Sequence, residues 1–189
     1  MIMKHIILAS NSPRRRELLA GLDLEFEVKV LPDIDESYPK DLPAAEVASY
    51  ISREKADSYR ALIGEDDLVI TADTVVIVGN EVLGKPKDAD EARRMLHLIS
   101  GRTHQVITGV CLLTTDKGHS FSVTTDVTFK QLSDDEITYY IEHYKPFDKA
   151  GAYGIQEWIG YIGVTSINGS YFNVMGLPVQ RLWEEIKKI

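Results

Sequence analysis

The run Leu68-Val-Ile-Thr-Ala-Asp-Thr-Val-Val-Ile-Val78 has the length and β-branched, apolar composition of a central strand, flanked by neighbours and covered on its faces. Asp73 and Thr74 interrupt it. An ionised carboxylate in such a strand is costly unless it is paired, hydrogen-bonded or bound to a metal. Asp73 is therefore either a buried Asp satisfied by backbone donors or an arginine, or a group with chemistry to perform. In the second case it serves as a general base toward water or as a ligand for a hard cation.

Other elements arrange themselves around this strand. Ile6–Leu8 reads as a short buried strand and Phe26–Leu31 as a weaker one. Pro13–Gly21 reads as a helix, with Ser12 as N-cap, Pro13 at its first position and Gly21 as its stop. Apolar residues recur from Pro43 to Ile63 at helical spacing, which predicts one long amphipathic helix. Gly79-Asn80 predicts a turn into a short strand at Glu81–Leu83, and Ala89–Ile99 a helix with Ala92, Met95, Leu96 and Ile99 on one face. Gln105–Thr115 and Ser120–Phe129 read as strands joined across Asp116-Lys117-Gly118. Ser133 and Glu136 form a capping box. Gly151–Gly163 reads as a glycine-rich loop, Asn168-Gly169 as a hairpin turn, and Pro178–Ile189 as a terminal helix starting on its proline. The pattern predicts an α/β protein with a mixed β-sheet flanked by helices, not a purely parallel doubly wound one. Two lobes with a cleft would bring Ser10–Arg16, Asp73 and the 149–156 loop near one another.

Ser10-Asn-Ser-Pro-Arg-Arg-Arg16 is the second feature that asks for a partner. A helix N-terminus carries about half a positive elementary charge and several unpaired backbone N–H groups. Arg14, Arg15 and Arg16 fall in its first turn, where each misplaced cation costs up to about 1 kcal/mol. The conflict disappears if an anion is bound, since dipole, N–H groups and guanidiniums then share one target. The alternative is a solvated basic turn or an arginine paired with a carboxylate.

Three further segments carry candidate groups. Lys85, held between Gly84 and Pro86, is placed to meet a phosphate oxygen as a point charge or is an exposed turn lysine. Lys55 lies close to the apolar face of its helix, in line with Ala48, Ile51 and Tyr59, and is a candidate to reach into a cleft. Asp35 and Glu36 in the polar loop are potential metal or water ligands. Lys149-Ala-Gly-Ala-Tyr-Gly-Ile-Gln156 ends on an amide with one acceptor and two donors, which matches the N–H and C=O edge of a uracil or thymine ring. His104 has no metal-ligand partner at helical or hairpin spacing and reads as a structural hydrogen bonder at a strand start. Cys111 reads as a small buried hydrophobe.

Composition narrows the partners. The chain has 189 residues, 44% hydrophobic and 26% charged, enough to bury a core without staples. Its formal net charge of −8 disfavours a broad nucleic-acid surface. No stretch reaches membrane-span length, and the N-terminal charge pattern is wrong for a secretory signal. A single cysteine excludes an internal disulfide and fits a reducing, cytoplasmic setting.

Taken together the chain resembles the Maf family, named for septum formation. The matching blocks are Leu8-Ala-Ser-Asn-Ser-Pro-Arg-Arg15 with Glu17-Leu-Leu19, Ala72-Asp-Thr-Val75, Gly84-Lys-Pro86, Ser100-Gly-x-x-His104 with Val106 and Thr108, Asp148-Lys-Ala-Gly-Ala-Tyr-Gly-Ile-Gln156, and Ile167-Asn-Gly-Ser-Tyr171 with Met175-Gly-Leu-Pro178. They run in family order over nearly the whole chain. The resemblance implies a single domain over residues 1–189 with a fold like that of the inosine triphosphatases, of Maf/Ham1 type. It implies hydrolysis of a nucleoside triphosphate to the monophosphate and pyrophosphate, with a divalent cation, Mg or Mn. The form of the 149–156 block resembles the dTTP/UTP branch. By motif match, Asp73 would be the catalytic acceptor, Arg14, Thr74 and Gln156 would set substrate choice, and Ser10, Arg15, Glu36, Lys55 and Lys85 would join the pocket, with Glu36 and Asp73 toward the metal. The partner implied is a small-molecule nucleotide, with no nucleic acid and no membrane; a homodimer is compatible with it. After Gln156 the sequence Glu-Trp-Ile-Gly-Tyr departs from the more glycine-rich run of the family.

Two rival readings are a pyrophosphatase for a modified purine such as 7-methyl-GTP, and a non-catalytic regulator of septum formation. Gln156 is the residue that discriminates the first, since a site reading the imide edge should reject bases lacking it. Retention of Asp73 and the paired arginines speaks against the second.

Overall fold

The long apolar run is indeed an interior strand of the sheet. A computed structural model of the chain describes residues 4–189. In chain order its elements are β1 (His5–Leu8), α1 (Pro13–Ala20), β2 (Phe26–Val28), a 3-10 turn at Ala44–Glu46, α2 (Val47–Asp57), β3 (Asp67–Val78), β4 (Glu81–Leu83), α3 (Ala89–Ile99), β5 (Thr103–Leu113), β6 (Gly118–Phe129), α4 (Asp134–Tyr144), a second 3-10 turn at Ala150–Ala152, α5 (Trp158–Gly163), β7 (Val164–Asn168), α6 (Tyr171–Met175) and α7 (Val179–Ile186). Among the described residues the strands form one mixed seven-stranded sheet in the order β2-β1-β3-β5-β6-β7, with β4 paired to β3. β1 is parallel to both β2 and β3, with Leu8 opposite Ile70, while β4 is antiparallel to β3 and β7 to β6. This is the mixed α/β architecture that the alternation of patterns predicts. Among the described residues no helix is long and apolar enough to cross a membrane.

The chain divides into two compact units. One runs to Asp73 and adds Thr108–Val123 and Gly176–Ile189; the other comprises Thr74–Ile107 and Thr124–Met175. In the first, α1 has Ser12 as N-cap and Pro13 opening the helix, as expected. α2 is held on the sheet by two devices. Thr71 on β3 donates its hydroxyl to the Ser52 carbonyl at 2.6 Å. Gly109 on β5 lets the α2 backbone come so close that a Cβ there would stand 2.4 Å from the Ala48 carbonyl carbon and the Ser49 nitrogen. Beyond Asp57 the helix gives way to turns, so the expected single helix over 43–63 is really a 3-10 turn, α2 and a tail. The tail uses i→i−3 bonds at Tyr59, Arg60 and Leu62. Tyr59 explains the break: its hydroxyl donates to the Lys29 carbonyl at 2.8 Å and accepts from Leu31 N at 3.0 Å, so the buried ring is pinned by the chain after β2. Ser58, bonding back to the Glu54 carbonyl, loosens the same turn.

The second unit has its own core, to which Val76, Leu96, Phe129, Ile137 and Ile159 contribute. The capping box of Ser133 and Glu136 opens α4. Two readings need correction here. The segment after Gln156 is not all loop: Trp158–Gly163 coils into α5, because Ile159 and Gly163 find buried positions. Asn168-Gly169 is not a hairpin turn. Gly169, at φ +130°, ends β7, and Ser170 exchanges hydrogen bonds with the Thr125 hydroxyl before α6 begins.

His104 lies near the start of β5, fully buried, with Nε2 2.6 Å from the Tyr153 hydroxyl. Burial lowers its pKa from 6.5 to about 4. The unfolded chain therefore binds a proton at His104 between about pH 6.5 and 4 that the folded chain refuses, and stability falls as pH falls through that window. The gap is worth about 3 kcal/mol once the pH is below the folded value. Denaturant titrations of His104→Gln beside the parent should show a shallower acid loss in the variant; parallel pH profiles would remove His104 as its source.

Candidate active site

Periodicity places the central pair. Ser52 and Lys55 are three residues apart on α2 and share a face, as do Thr71 and Asp73, two apart on β3. Once the Thr71–Ser52 bond and Gly109 set the helix against the sheet, Lys55 is carried to Asp73. Its ammonium lies 3.0 Å from Asp73 Oδ1 and 2.8 Å from Glu36 Oε1. Lys55 and Asp73 are mostly buried, with side-chain exposures of 12% and 15%, whereas Glu36 is half exposed at 51%. Glu36 and not Asp35 faces this cluster. The Asp35 carboxylate is engaged by the Ser37 backbone N–H and hydroxyl, both at 2.8 Å, and these bonds hold its pKa below the usual carboxylate range.

The arginines of α1 divide their work. Arg15 turns inward: Nε donates to the Gly176 carbonyl at 2.8 Å and Nη1 to the Ala72 carbonyl at 2.9 Å, with the Ser10 hydroxyl 3.5 Å away. Desolvation depresses its pKa, Asp73 and Glu36 push it back up, and Arg14 lowers it further. Arg15 therefore shares one electrostatic neighbourhood with Asp73, Arg14 and Glu36 while staying charged. Arg16 folds back on the Asn11 carbonyl at the surface. Ser10 is buried and accepts from Ser12 N at 3.2 Å, which shapes the approach to the helix start. Thus the first unit gathers Ser10, Arg14, Arg15, Glu36, Lys55 and Asp73. Thr74 is the next residue after Asp73 in β3 and begins the second unit.

The second unit gathers the remaining candidates on one scaffold. The Gly84 carbonyl, just before Lys85, accepts from Gly151 N at 3.1 Å. Gly151 adopts φ +68°, and a Cβ there would approach Val76 Cγ2 to 2.8 Å, so only glycine lets this loop lie on β3. The loop ends at Gln156, whose side-chain carbonyl oxygen is buried and, among the described residues, has no hydrogen-bond partner. A buried acceptor without a donor is costly and marks a place where a ligand N–H would be welcome. Sequence reasoning missed the groups that hold this loop: Tyr140, which reads only as an apolar-face residue of α4, and the pair Lys149–Glu157. The one available signal was Glu157 itself, a charge directly after the candidate amide.

Two carboxylates meeting one ammonium form a donor set that also suits a small hard cation. Mg2+ commonly uses one or two carboxylates and completes its shell with water and substrate phosphates. Among the described residues no group of three or more His, Cys, Asp or Glu side chains converges as a metal site. Glu36 and Asp73 are the two carboxylates that could face such an ion.

The chain is similar to known proteins over nearly its whole length. The family model "Maf-like protein" matches residues 5–189. A dTTP/UTP pyrophosphatase of Phocaeicola vulgatus is 62% identical over 184 residues, covering 97% of this chain and 95% of that protein. A dTTP/UTP pyrophosphatase of Parabacteroides distasonis is 59% identical over 182 residues, covering 96% and 94%. Among solved structures a HAM1 protein from Coxiella burnetii aligns over 99% of this chain and 100% of its own, with a TM-score of 0.51 at 16% identity, which bears out the expected fold type.

Arg15 offers a direct stability test. Lysine lacks the planar fork and cannot serve both carbonyls at the Arg15 geometry. Arg15→Lys should lose about 1–3 kcal/mol in urea denaturation; an unchanged midpoint would show that the Ala72 and Gly176 contacts carry no stability.

Proposed function

The chain belongs to the family of Maf-like proteins, and from that premise we propose that it hydrolyses dTTP and UTP to the nucleoside monophosphate and pyrophosphate. The observation that carries the reading is the cluster Arg15–Asp73–Lys55–Glu36, cations and carboxylates gathered in one unit with Arg15 in the first turn of α1. The start of α1, Arg14 and Arg15 form an anion seat, and Ser10 adds a hydroxyl. Lys85 meets a phosphate oxygen. Gln156 reads the base: its buried oxygen accepts the imide N–H and its amide NH2 donates to a ring carbonyl. Thr74 assists that choice. The lone buried Cys111 fits a reducing compartment such as the cytoplasm.

In the reaction, water attacks the α-phosphorus. The new bond is O–Pα, the bond broken joins Pα to the α–β bridging oxygen, and pyrophosphate leaves with the electron pair. Asp73 orients the water and takes its proton. Lys55, between Asp73 and Glu36, keeps both carboxylates placed. Arg14, Arg15 and Lys85 stabilise charge that grows on the phosphate and leaving-group oxygens, where most of the catalytic effect in phosphoryl chemistry lies. Mg2+ or Mn2+, held by Glu36 and Asp73, would supply further charge neutralisation when bound.

The test is pyrophosphate release across a panel of nucleoside triphosphates with Mg2+, with Mn2+ and with a chelator. dTTP and UTP should lead with metal and fall to background without it; a non-catalytic regulator would release pyrophosphate in no arm. Asp73→Asn should lower kcat at least about a thousandfold while UTP binding by calorimetry persists, and near-parent turnover would refute the assignment. Gln156→Ala should reduce the preference for UTP over GTP about a hundredfold. An unchanged preference would end the base-reading role.

A further inference from the structure

The segment that carries Gln156 is fastened on both sides of it. Two residues before, Gly154 N donates to the Tyr140 hydroxyl at 3.0 Å. One residue after, Glu157 Oε2 accepts a hydrogen bond from the Tyr140 hydroxyl at 2.5 Å, and its Oε1 lies 3.1 Å from the Lys149 ammonium. Tyr140 is fully buried on α4, and Lys149 is also buried. Burial and the neighbouring Glu157 carboxylate push the Tyr140 hydroxyl well above its ordinary range, so it stays protonated and keeps donating. One phenol thus ties the residue before Gln156's neighbour to the residue after Gln156. The room for this arrangement is tight: a Cβ at Gly154 would lie 2.9 Å from Lys149 Cε and 3.1 Å from Glu157 Cδ. Glu157 also begins α5 through its backbone carbonyl, which accepts from Gly160 N at 2.9 Å.

From this we infer that Glu157, clamped by Tyr140 and Lys149, is a positioning residue for base selection: it fixes the backbone from which the Gln156 amide meets a pyrimidine imide edge. The inference rests on the base-reading role given to Gln156 above. Glu157 touches no substrate in this account. It acts through Gln156 by limiting where the amide can point, and a two-donor, one-acceptor group discriminates only when held in place. Each of its side-chain oxygens is engaged within the fold, one by Tyr140 and one by Lys149.

The test compares kcat/KM for UTP and for GTP in the parent, Gln156→Ala, Glu157→Ala and the double variant, with thermal denaturation of each. Glu157→Ala should lower kcat/KM for UTP about ten- to a hundredfold, mainly through KM, and lower it less for GTP, so that the preference narrows. In the Gln156→Ala background the same change should leave the preference where Gln156→Ala put it. Glu157→Gln, which keeps one acceptor for the Tyr140 hydroxyl but loses the ion pair with Lys149, should restore part of the preference. Tyr140→Phe removes only the hydroxyl and should narrow the preference as Glu157→Ala does, which keeps the question open to decision if the alanine variant fails to fold. Equal losses for UTP and GTP in Glu157→Ala and Tyr140→Phe would overturn the inference and leave base reading by Gln156 intact. If Gln156→Ala itself leaves the preference unchanged, base reading fails and the positioning role with it.

Discussion

The contact of the Lys55 ammonium with Asp73 and Glu36 is the interaction on which the candidate site turns. A carboxylate in the middle of β3 has lost most of its water, and without a partner its burial would be costly to the fold. Lys55 supplies that cation from within the fold. It also draws Glu36, from an otherwise polar loop, to the same point. The two carboxylates are thus held together by the fold itself, and in the proposed reaction no binding energy is spent on bringing them there. Arg15 acts on the neighbouring side, where its bonds to the Ala72 and Gly176 carbonyls fasten the chain beside Asp73 to the segment that leads into α7.

The two halves of the candidate machinery follow different building rules. In the first unit the groups are charged, and their positions come from regular elements: one face of a helix, one face of a strand, one helix start. In the second unit they stand on a loop, and that loop gains its definition from tight backbone approaches and from side chains that bind each other. The groups proposed to bind phosphate and cut the bond belong largely to the first kind. The amide of Gln156, proposed to read the base, belongs to the second. Loops tolerate sequence change better than packed elements do, and this suits the part of a site that must differ between enzymes acting on different bases.

Much of this was legible from residues alone where local chemistry decides. The central strand, the start of α1 and the capping box of α4 each announce themselves through apolar runs or capping residues. The candidate residues stand out for a similar reason, as charged or amide groups in places where a bland fold would not put them. What stayed hidden depends on partners far along the chain. The helix over 43–63 looked continuous because its apolar spacing persists past Asp57; the bonds of Tyr59 to Lys29 and Leu31, which end it, connect residues about thirty positions apart. Asn168-Gly169 had the composition of a hairpin, but Ser170 found Thr125 instead. Asp35 and Glu36 were indistinguishable in sequence and are separated only by which one turns back on Ser37. Tyr140 was invisible as a polar anchor, since its ring satisfies the helical pattern and its hydroxyl answers to a different segment.

Gly109 gives the charged cluster an unusual kind of heredity. The position carries no side chain of its own, yet the helix bearing Lys55 rests directly on its backbone. A methyl group there would stand 2.4 Å from the helix backbone, and restoring ordinary contact would move α2 outward by on the order of 1 Å. The ammonium would travel with it. The tolerance of the chemistry is therefore written into the absence of a side chain in the core. A lineage that drifted at this position would keep its strands, its helices and every charged residue of the cluster, and still inherit a misaligned site.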